Sequence, residues 1–330
     1  MDVLVIGQEE VRRLLPVSEC IDVMAEALAT LARGEGVQPL RQAIRLPGGA
    51  GLLGVMPAYL GGIDAPGIKV ITVFPGNHGT ELDSHQGAVL LFEGQRGRLV
   101  AVIDASEVTA VRTAAVSGLA TRLLAREDAG DLAILGSGTQ ARTHLPAIAA
   151  VRTLHRVRVW SPDPERARAF AERAECGCAV VAAASAREAV EGADIVCTTT
   201  AAREPVLEGA WLAPGAHVNA VGACIPSARE LDGAAVARSR LFVDRRESAL
   251  AEAGDILMAQ KEGAIGGDHI VGELGELLIG ACEGRRSGEE MTLFKSLGIG
   301  VEDVAAAHHL HERARRVGAG VAVALGGGRA

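Results

Sequence analysis

The segment that most constrains this chain is a glycine-rich turn near the middle of the sequence. An apolar run with the length of a strand, residues 132–135, leads directly into Gly136-Ser-Gly-Thr-Gln-Ala141, and a helical pattern of apolar residues follows. In a strand–turn–helix context, Gly136 permits a tight turn, Gly138 lets the backbone approach a pyrophosphate, and Ala141 lets the helix pack closely on the strand. The segment therefore predicts a dinucleotide site in which backbone N–H groups at the helix N-terminus bind the phosphates.

Composition limits the classes of protein to which the chain can belong. Its 330 residues exceed one typical domain, and 48% apolar residues can bury a large core. A net charge of −8 without a basic run argues against nucleic acid as a partner. The apolar runs are too short to span a bilayer, and the N-terminus carries acidic residues where a signal peptide needs basic ones. With six irregularly spaced cysteines, we expect a cytoplasmic protein with reduced thiols and no membrane partner.

Two groups of residues resemble metal ligands, but neither has a suitable spacing. Cys176 and Cys178 are separated by one residue and have no second pair, so we interpret them as structural thiols. His308, His309 and His311 lie in a helical pattern without a carboxylate or cysteine at helical spacing. The sequence therefore predicts no metal site.

Three regions of the chain differ in their secondary-structure pattern. Residues 1–113 combine a helix with Ser18 as its N-cap and several strand-like runs, which predict an antiparallel sheet with a hairpin at residues 93–97. In residues 114–303, where a helix is predicted from Thr113 to Leu124, strands alternate with helices, as in a parallel sheet with right-handed crossovers. Residues 301–323 form one long helical pattern, which we expect to return to the first region. The predicted class is α/β, with residues 114–303 inserted between residues 1–113 and 304–330.

Ten short segments together resemble a known family. In chain order they are Met56–Tyr59, Gly67–Val70, Phe74–Asn77, Leu99–Asp104, Thr109–Ala115, the Gly136 turn, Val218–Gly222, Glu230–Asp232, Gly272–Glu276 and Thr292–Gly298. Over nearly its whole length the chain is similar to the ornithine cyclodeaminase/mu-crystallin family. The family contains NAD-dependent cyclodeaminases, NAD(P)H-dependent ketimine and imino-acid reductases, an alanine dehydrogenase, and the vertebrate mu-crystallins, which bind thyroid hormone.

The resemblance implies a Rossmann-type NAD(P)-binding domain inserted in an α+β domain that binds substrate and forms a homodimer. The family's carboxylate-binding arginine falls at Arg45, and a planar guanidinium is a natural bidentate clamp for a carboxylate. By sequence alone, Lys69 in its apolar run is either on an exposed strand face or buried with a lowered pKa. In the family this lysine lines the substrate pocket, where it can pair with the carboxylate or exchange a proton near the imine nitrogen.

Four further residues of the first region are candidates for the site. His85 could donate a proton, since its ordinary pKa lies near working pH, although a loop histidine without that role is the alternative. The resemblance places Ser84 near a nucleotide contact, Arg112 at the cofactor's phosphates, and Met56 at the substrate. An ordinary helix-surface charge is the alternative interpretation of Arg112.

The second region supplies the other predicted cofactor contacts. Thr139 and Gln140, in the glycine-rich turn, are expected to donate to the phosphates. The resemblance places the loop that contains Thr200 at the ribose and the nicotinamide. It also implies nicotinamide or substrate contacts for a second set of residues: Ala220, Val221, Gly222, Ser296 and Leu297.

The end of the second strand leaves the choice of cofactor open. Enzymes that prefer NAD normally place an acid where Ser161 stands, to bind the ribose hydroxyls and repel a 2′-phosphate. Asp163 and Arg166, slightly further along, could each compensate in opposite directions. The prediction is therefore NAD(H) or NADP(H).

One departure from the family pattern concerns the reaction. Cyclodeaminases of the family carry an aspartate in the position of Cys224, where a carboxylate handles protons and orients the terminal amine. A thiol with an ordinary pKa near about 8.5 has no negative charge at neutral pH and cannot replace it. Mu-crystallin-like reductases also lack the aspartate.

The sequence therefore favours an NAD(P)H-dependent reductase of small α-imino acids. Cyclic ketimines such as pyrroline-2-carboxylate or piperideine-2-carboxylate are the expected substrates, or the reaction is the equivalent amino-acid dehydrogenation in reverse. Two alternatives remain. One is an NAD-dependent ornithine or lysine cyclodeaminase, which is an ammonia lyase, and the other is a non-catalytic mu-crystallin-like protein that binds a small ligand.

Overall fold

The computed structural model describes residues 2–77 and 80–325. The strands are β1 (Asp2–Ile6), β2 (Gly36–Val37), β3 (Gln42–Arg45), β4 (Leu52–Leu60), β5 (Ala65–Val73), β6 (His85–Phe92), β7 (Leu99–Asp104), β8 (Asp131–Leu135), β9 (Arg156–Trp160), β10 (Ala179–Ala182), β11 (Ile195–Thr198), β12 (His217–Ala220), β13 (Arg240–Val243), β14 (Ile270–Glu273), β15 (Thr292–Lys295) and β16 (Val321–Ala324). The helices are α1 (Gln8–Leu14), α2 (Val17–Ala32), α3 (Ala105–Leu124), α4 (Thr139–Ala149), α5 (Pro164–Arg173), α6 (Ala186–Val190), α7 (Gly233–Ala237), α8 (Arg246–Glu252), α9 (Gly254–Lys261), α10 (Leu274–Leu278) and α11 (Gly300–Val317).

The chain forms two compact units. Unit 1 comprises residues 1–112 and 299–330, and unit 2 comprises residues 113–298. The division falls inside α3, which contributes its first residues to unit 1 and the rest to unit 2. None of the helices in the described ranges has both the length and the apolar composition needed to cross a membrane.

Unit 1 is built on a mixed sheet in the order β16-β1-β7-β6-β5-β4-β2, with β3 also paired to β4. Long antiparallel ladders join β4, β5, β6 and β7, and a parallel ladder joins β1 to β7. Helix α11 packs across β4, β5 and β6 and against α2. The helix can lie this close because Gly67 has no side chain: a Cβ there would be 2.7 Å from Val304 Cγ2.

Unit 2 is a parallel sheet in the order β10-β9-β8-β11-β12-β15-β13-β14. Its strands carry almost continuous apolar side chains, as expected where helices cover both faces of a parallel sheet. The first five strands have the order of a Rossmann-type fold, and the order reverses between β8 and β11. The Rossmann-type α/β prediction is thus confirmed.

Three predicted helix boundaries were wrong. Helix α2 begins after Pro16, so Ser18 is its second residue and does not cap it. Helix α3 begins at Ala105 instead of Thr113. The last helix ends at Val317, because Gly318 adopts a left-handed conformation at φ 68°, and residues 321–324 form strand β16.

The predicted sheets also need correction. The first sheet is not purely antiparallel, since the parallel β1–β7 pair was not predicted. Strand β6 begins at His85, so this histidine lies at the start of a strand and not in a loop. The hairpin at residues 93–97 is confirmed by the antiparallel pairing of β6 with β7.

Candidate functional site

The glycine-rich turn of unit 2 has the backbone that a dinucleotide site requires. Gly136 has φ 118°, and a Cβ there would lie 2.6 Å from Thr199 Oγ1, so only glycine fits. Gly138 precedes α4 and has open space where a Cβ would stand. No side chain caps the N-terminus of α4. These features fit a phosphate group at the N-terminus of the helix.

This turn lies at the point of the sheet where Rossmann-type folds bind their ligands. Gly136 follows β8 and Thr199 follows β11, the two strands between which the strand order reverses. In open α/β sheets the ligand crevice lies at the carboxyl ends of these strands. Unit 2 therefore presents both the loop and the location of a dinucleotide site.

After β9, the acidic residue nearest the expected ribose is Asp163, and its carboxylate already has partners within the protein. Ser161 is buried at the end of β9. The carboxylate of Asp163 caps α5 by accepting from the backbone N–H of Glu165 at 3.0 Å, and it also pairs with Arg166 at 3.3 Å. Asp163 and Arg166 therefore pair with each other, and the choice between the two nucleotides stays open.

A buried glutamate that the sequence analysis missed holds the loops after β11 and β12. Glu230 Oε1 accepts from the backbone N–H of Thr200 at 2.6 Å and from its hydroxyl at 2.7 Å. Its Oε2 accepts from Thr198 Oγ1 at 2.8 Å and from the backbone N–H of Gly222 at 2.6 Å. A Cβ at Gly222 would lie 2.0 Å from the carbonyl oxygen of Thr200. One carboxylate thus fixes two loops that are predicted to contact the nicotinamide.

Beside Glu230 lies a buried ion pair. Lys295 Nζ is 3.0 Å from Asp255 Oδ2, and both side chains are almost fully buried. Burial alone lowers the pKa of Lys295, but Asp255, Cys224 and Glu230 outweigh it and raise the pKa above its ordinary value. The charged form of Lys295 is thus favoured, and Asp255 in turn accepts from the backbone N–H of Glu230 at 2.7 Å.

Strand register in unit 1 brings four predicted site residues to one face of the sheet. Arg45 pairs with Leu52, Leu52 with Val73, and Val73 with His85, which places Arg45 and His85 in one row. Met56 pairs with Lys69 four residues further along the same face. The rows are roughly 13 Å apart at about 3.3 Å per residue. Between them lies a row of small residues around one buried isoleucine: Ala43, Gly54, Ile71 and Gly87.

Lys69 is the chemically unusual member of this face. It is 2% exposed, and its Nζ lies 2.9 Å from Asp303 and 3.3 Å from Thr109 Oγ1. Burial lowers the pKa of Lys69 to about 8 against the attraction of Asp303, and the guanidinium groups of Arg112 and Arg41 lower it further. The second of the two sequence interpretations, a buried lysine with a lowered pKa, is the one observed.

Arg112 belongs to the same buried group of charges. Its Nε donates to Asp303 Oδ1 at 3.0 Å, and its Nη1 donates to Glu302 Oε2 at 2.8 Å. It is 4% exposed, so the alternative of an ordinary surface charge is wrong. The role of Arg112 at the cofactor's phosphates stays a prediction.

Comparison with known proteins identifies the family of this chain. The family model of the ornithine cyclodeaminase/mu-crystallin family matches residues 1–318. The chain belongs to this family. The ketimine reductase mu-crystallin of Mus musculus is 41% identical over 311 residues, which is 93% of this chain and 96% of that protein.

Two solved structures of the ornithine cyclodeaminase/mu-crystallin type match nearly the whole chain. The Δ1-pyrroline-2-carboxylate reductase of Thermococcus litoralis, in complex with NADH and L-proline, has a TM-score of 0.95 and 38% identity, and the match covers 97% of this chain and 100% of that chain. An archaeal alanine dehydrogenase dimer with bound NAD has a TM-score of 0.93 and 32% identity, with 98% and 99% coverage.

The remaining predicted residues of this family member differ in exposure. Arg45 and His85 are exposed, and His85 Nδ1 lies 3.0 Å from Ser84 Oγ. Cys224 is half-buried, and its thiol donates to the carbonyl oxygen of Val221 at 3.3 Å. Four residues of unit 2 that are predicted to contact the nicotinamide or the substrate are all buried: Ala220, Val221, Ser296 and Leu297.

The histidines of α11 do have carboxylates nearby, contrary to the sequence analysis. His309 Nε2 lies 3.7 Å from Glu19 and His311 Nδ1 lies 3.4 Å from Glu312. Glu312 follows His311 directly along the helix and Glu19 lies on α2, and the sequence analysis considered neither of them. Over residues 2–77 and 80–325, no group of three or more histidine, cysteine, aspartate or glutamate side chains is arranged to hold a metal ion.

Sequence reasoning also missed the carboxylates that hold the candidate residues in place. Glu302 and Asp303 are fully buried on α11, and Asp255 and Glu230 are buried in unit 2. A signal was present, since Glu302-Asp303 stands between Val301 and Val304 in an apolar helix pattern. Acidic residues are almost never fully buried unless they are paired.

Proposed function

We propose that the protein is an NAD(P)H-dependent reductase of small α-imino acids, with cyclic ketimines such as pyrroline-2-carboxylate or piperideine-2-carboxylate as substrates. The reverse reaction is the dehydrogenation of the matching amino acid. The observation that carries this proposal is the buried Lys69, an ammonium with a pKa of about 8 on the sheet face that also bears Arg45 and Met56. Such a group can both pair with a carboxylate and give up a proton near neutral pH.

Unit 2 has the residues to hold the nucleotide. The open position at Gly138 and the N-terminus of α4, which no side chain caps, suit the pyrophosphate, with Thr139 and Gln140 as further donors. Glu230 fixes the loops of Thr200 and Gly222, which would bind the ribose and the nicotinamide. When bound, the reduced nicotinamide supplies the hydride that the α-carbon of the imine accepts.

Unit 1 has the residues to hold the imino acid. Arg45 would clamp the carboxylate in a bidentate manner, and Lys69 would pair with it and deliver the proton to the imine nitrogen. His85, in the row of Arg45, is the second candidate proton donor.

Cys224 favours reduction over cyclodeamination. The thiol donates its hydrogen bond to a backbone carbonyl and lies next to the Lys295–Asp255 ion pair. A cyclodeaminase must also bind and orient a second amine, and a thiol offers no carboxylate for it. A preformed ketimine needs only an anchored carboxylate, a proton and a hydride.

A nicotinamide absorbance assay tests the proposal. The purified protein is mixed with NADH or NADPH and with a panel of cyclic imines, or of α-keto acids with ammonia or methylamine. We expect absorbance loss with at least one cyclic ketimine. Ammonia and proline formed from ornithine without a net absorbance change would identify a cyclodeaminase, and nucleotide binding with no turnover of any substrate would identify a binder.

We also propose a homodimer formed through the sheet of unit 1. On the face opposite Lys69, residues Pro57, Ile68, Leu90 and Val102 stand in one row across β4 to β7 and are only half-buried. A sheet face exposed to water is normally polar, whereas this row is apolar. A second copy of the chain is the expected partner, as in the related dehydrogenase dimer.

A further inference from the structure

Lysine is rare in this chain, and its positions are informative. Lys69, Lys261 and Lys295 are the only lysines among 33 basic residues, the others being arginines. Lys69 and Lys295 are both buried, and each pairs with an aspartate, at 2.9 Å and 3.0 Å. Since a guanidinium keeps its proton under all ordinary conditions and a buried ammonium can lose it, lysine at position 69, where the pKa is lowered, provides a proton that arginine would not.

Asp303 is the centre of the charges around Lys69. One or the other of its carboxylate oxygens lies 2.9 Å from Lys69 Nζ and 3.0 Å from Arg112 Nε, so one negative charge lies between two cations. Glu302 pairs with the other end of the Arg112 guanidinium, where its Oε2 lies 2.8 Å from Nη1. The four side chains carry no net charge together, and each is at most 4% exposed. Removing one carboxylate would leave an uncompensated positive charge in a buried place.

Every element around Lys69 contributes to this balance. Helix α3 supplies Thr109 and Arg112, helix α11 supplies Glu302 and Asp303, and Arg41, just before β3, adds a third cation. From α2, Cys20 faces Arg112 and Glu302, and burial raises the pKa of its thiol, so it stays neutral. Asp303 is thus the carboxylate that favours the charged form of Lys69 against burial and two guanidinium groups.

We propose that Asp303 is the positioning residue that keeps Lys69 protonated for the reaction, and that Arg112 and Glu302 hold Asp303 in turn. The inference rests on the proposed function, in which the Lys69 ammonium gives its proton to the imine nitrogen. The α-carbon gains the hydride, the nitrogen gains the proton, and Lys69 becomes a neutral amine that takes a new proton from water. Asp303 itself does not touch the substrate.

A direct titration tests the coupling without any assay of turnover. Because the chain has three lysines, protein labelled with ¹³C at lysine Cε should give three resonances, each assigned by a Lys→Arg variant. In the wild type, the Lys69 resonance should titrate near pH 8. In Asp303→Asn we expect the midpoint to fall by about one unit or more, since burial, Arg112 and Arg41 remain without their counter-charge.

Asp255→Asn is the matched control, since it removes the partner of Lys295 and should leave the Lys69 midpoint in place. If Asp303→Asn does not fold, Glu302→Gln decides, because it leaves the charge of Arg112 less compensated beside Asp303 and should also lower the Lys69 midpoint, and an unchanged midpoint in folded Glu302→Gln overturns the inference. An unchanged Lys69 midpoint in folded Asp303→Asn also overturns it.

The pH profile of kcat/KM then tests the role in the reaction. Activity that needs protonated Lys69 is full below its pKa and falls as pH rises through about 8. Asp303→Asn should move this alkaline limb to lower pH by the same amount as the resonance, and Lys69→Arg should remove it. A limb that stays in place while the resonance moves overturns the role of Asp303. No turnover by the wild type, with the resonance shift intact, overturns the proposed function and not the coupling.

Discussion

At the scale of single residues, the two cations of the proposed substrate site differ in kind. Arg45 is exposed on a short strand at the edge of the sheet, and its planar guanidinium can bind a carboxylate in a bidentate manner. Lys69 is buried, and its ammonium pairs with Asp303 at 2.9 Å. The first is suited to capture a carboxylate, and the second is suited to move a proton.

Loss of either cation should therefore impair the reaction strongly. We expect Lys69→Ala and Arg45→Ala each to lower kcat/KM for a cyclic ketimine at least ~100-fold, since each removes a charge-assisted contact to the substrate. Steady-state kinetics measure the effect. Arg96→Ala, in the exposed turn between β6 and β7, is the control and should behave as the wild type. Near-normal kinetics in both site variants would remove the substrate-site assignment.

Ser161 is the residue at which the choice of cofactor should be adjustable. Placing an acid there should repel a 2′-phosphate, because Asp163 is already neutralised by Arg166 and the cap of α5. We expect Ser161→Asp to weaken NADPH binding by about tenfold or more and NADH binding by no more than about threefold. Fluorescence titration with each nucleotide measures this. Ser161→Asn has the same shape without charge, and an equal loss of NADPH affinity in both variants would contradict the electrostatic explanation.

At the scale of elements, unit 2 depends on one carboxylate to join loops from two strands. Glu230 follows neither β11 nor β12 directly, yet it accepts two backbone N–H groups and one hydroxyl from the loops that follow them, and the hydroxyl of Thr198 at the end of β11. Both oxygens of the carboxylate accept a backbone N–H. A glutamine cannot reproduce this arrangement, because its NH₂ group would face a backbone N–H in either orientation.

Glu230→Gln should consequently weaken the binding of the nucleotide. An unsatisfied buried donor costs about 1–3 kcal/mol, so we expect an increase of roughly tenfold or more in the Kd of NADH. Thermal unfolding and circular dichroism show whether the variant is folded. Glu208→Gln, an exposed glutamate of the same unit, should leave the Kd unchanged. An unaltered Kd in folded Glu230→Gln would mean that these loops do not hold the nicotinamide.

At the scale of the whole molecule, the proposed assembly depends on the half-buried apolar face of unit 1. We expect a mass of twice the 34.0 kDa chain in light scattering. Leu90→Lys places a charge in the middle of the row that includes Ile68 and Val102, and burying it unpaired is costly, so the variant should be monomeric. Leu250→Lys, at an exposed leucine of α8, is the control and should remain dimeric. A dimeric Leu90→Lys protein would place the interface elsewhere.

The sequence predicted the elements whose local signals are strong. The Gly136 turn, the hairpin at residues 93–97 and the alternation of strands and helices in unit 2 all depend on residues close together in the chain, and the structure has each of them. The parallel pairing of β1 with β7 was not predictable in this way, because its strands are almost a hundred residues apart. Strand β16 was read as helix, because the alternating valines and alanines of residues 321–324 also fit a helical face.

The candidate site also combines features that are visible in the sequence with features that depend on the fold. The sequence by itself determined which side chains could do chemistry, since the glycine spacing, an arginine in a strand and a lysine in an apolar run are all visible in the one-letter text. Only the tertiary structure decided that Lys69 meets Asp303, 234 residues away along the chain, and that Glu230 joins two loops. The physical reason is that a buried charge takes its pKa and its position from its neighbours in space, and those neighbours come together only when the sheet and α11 pack.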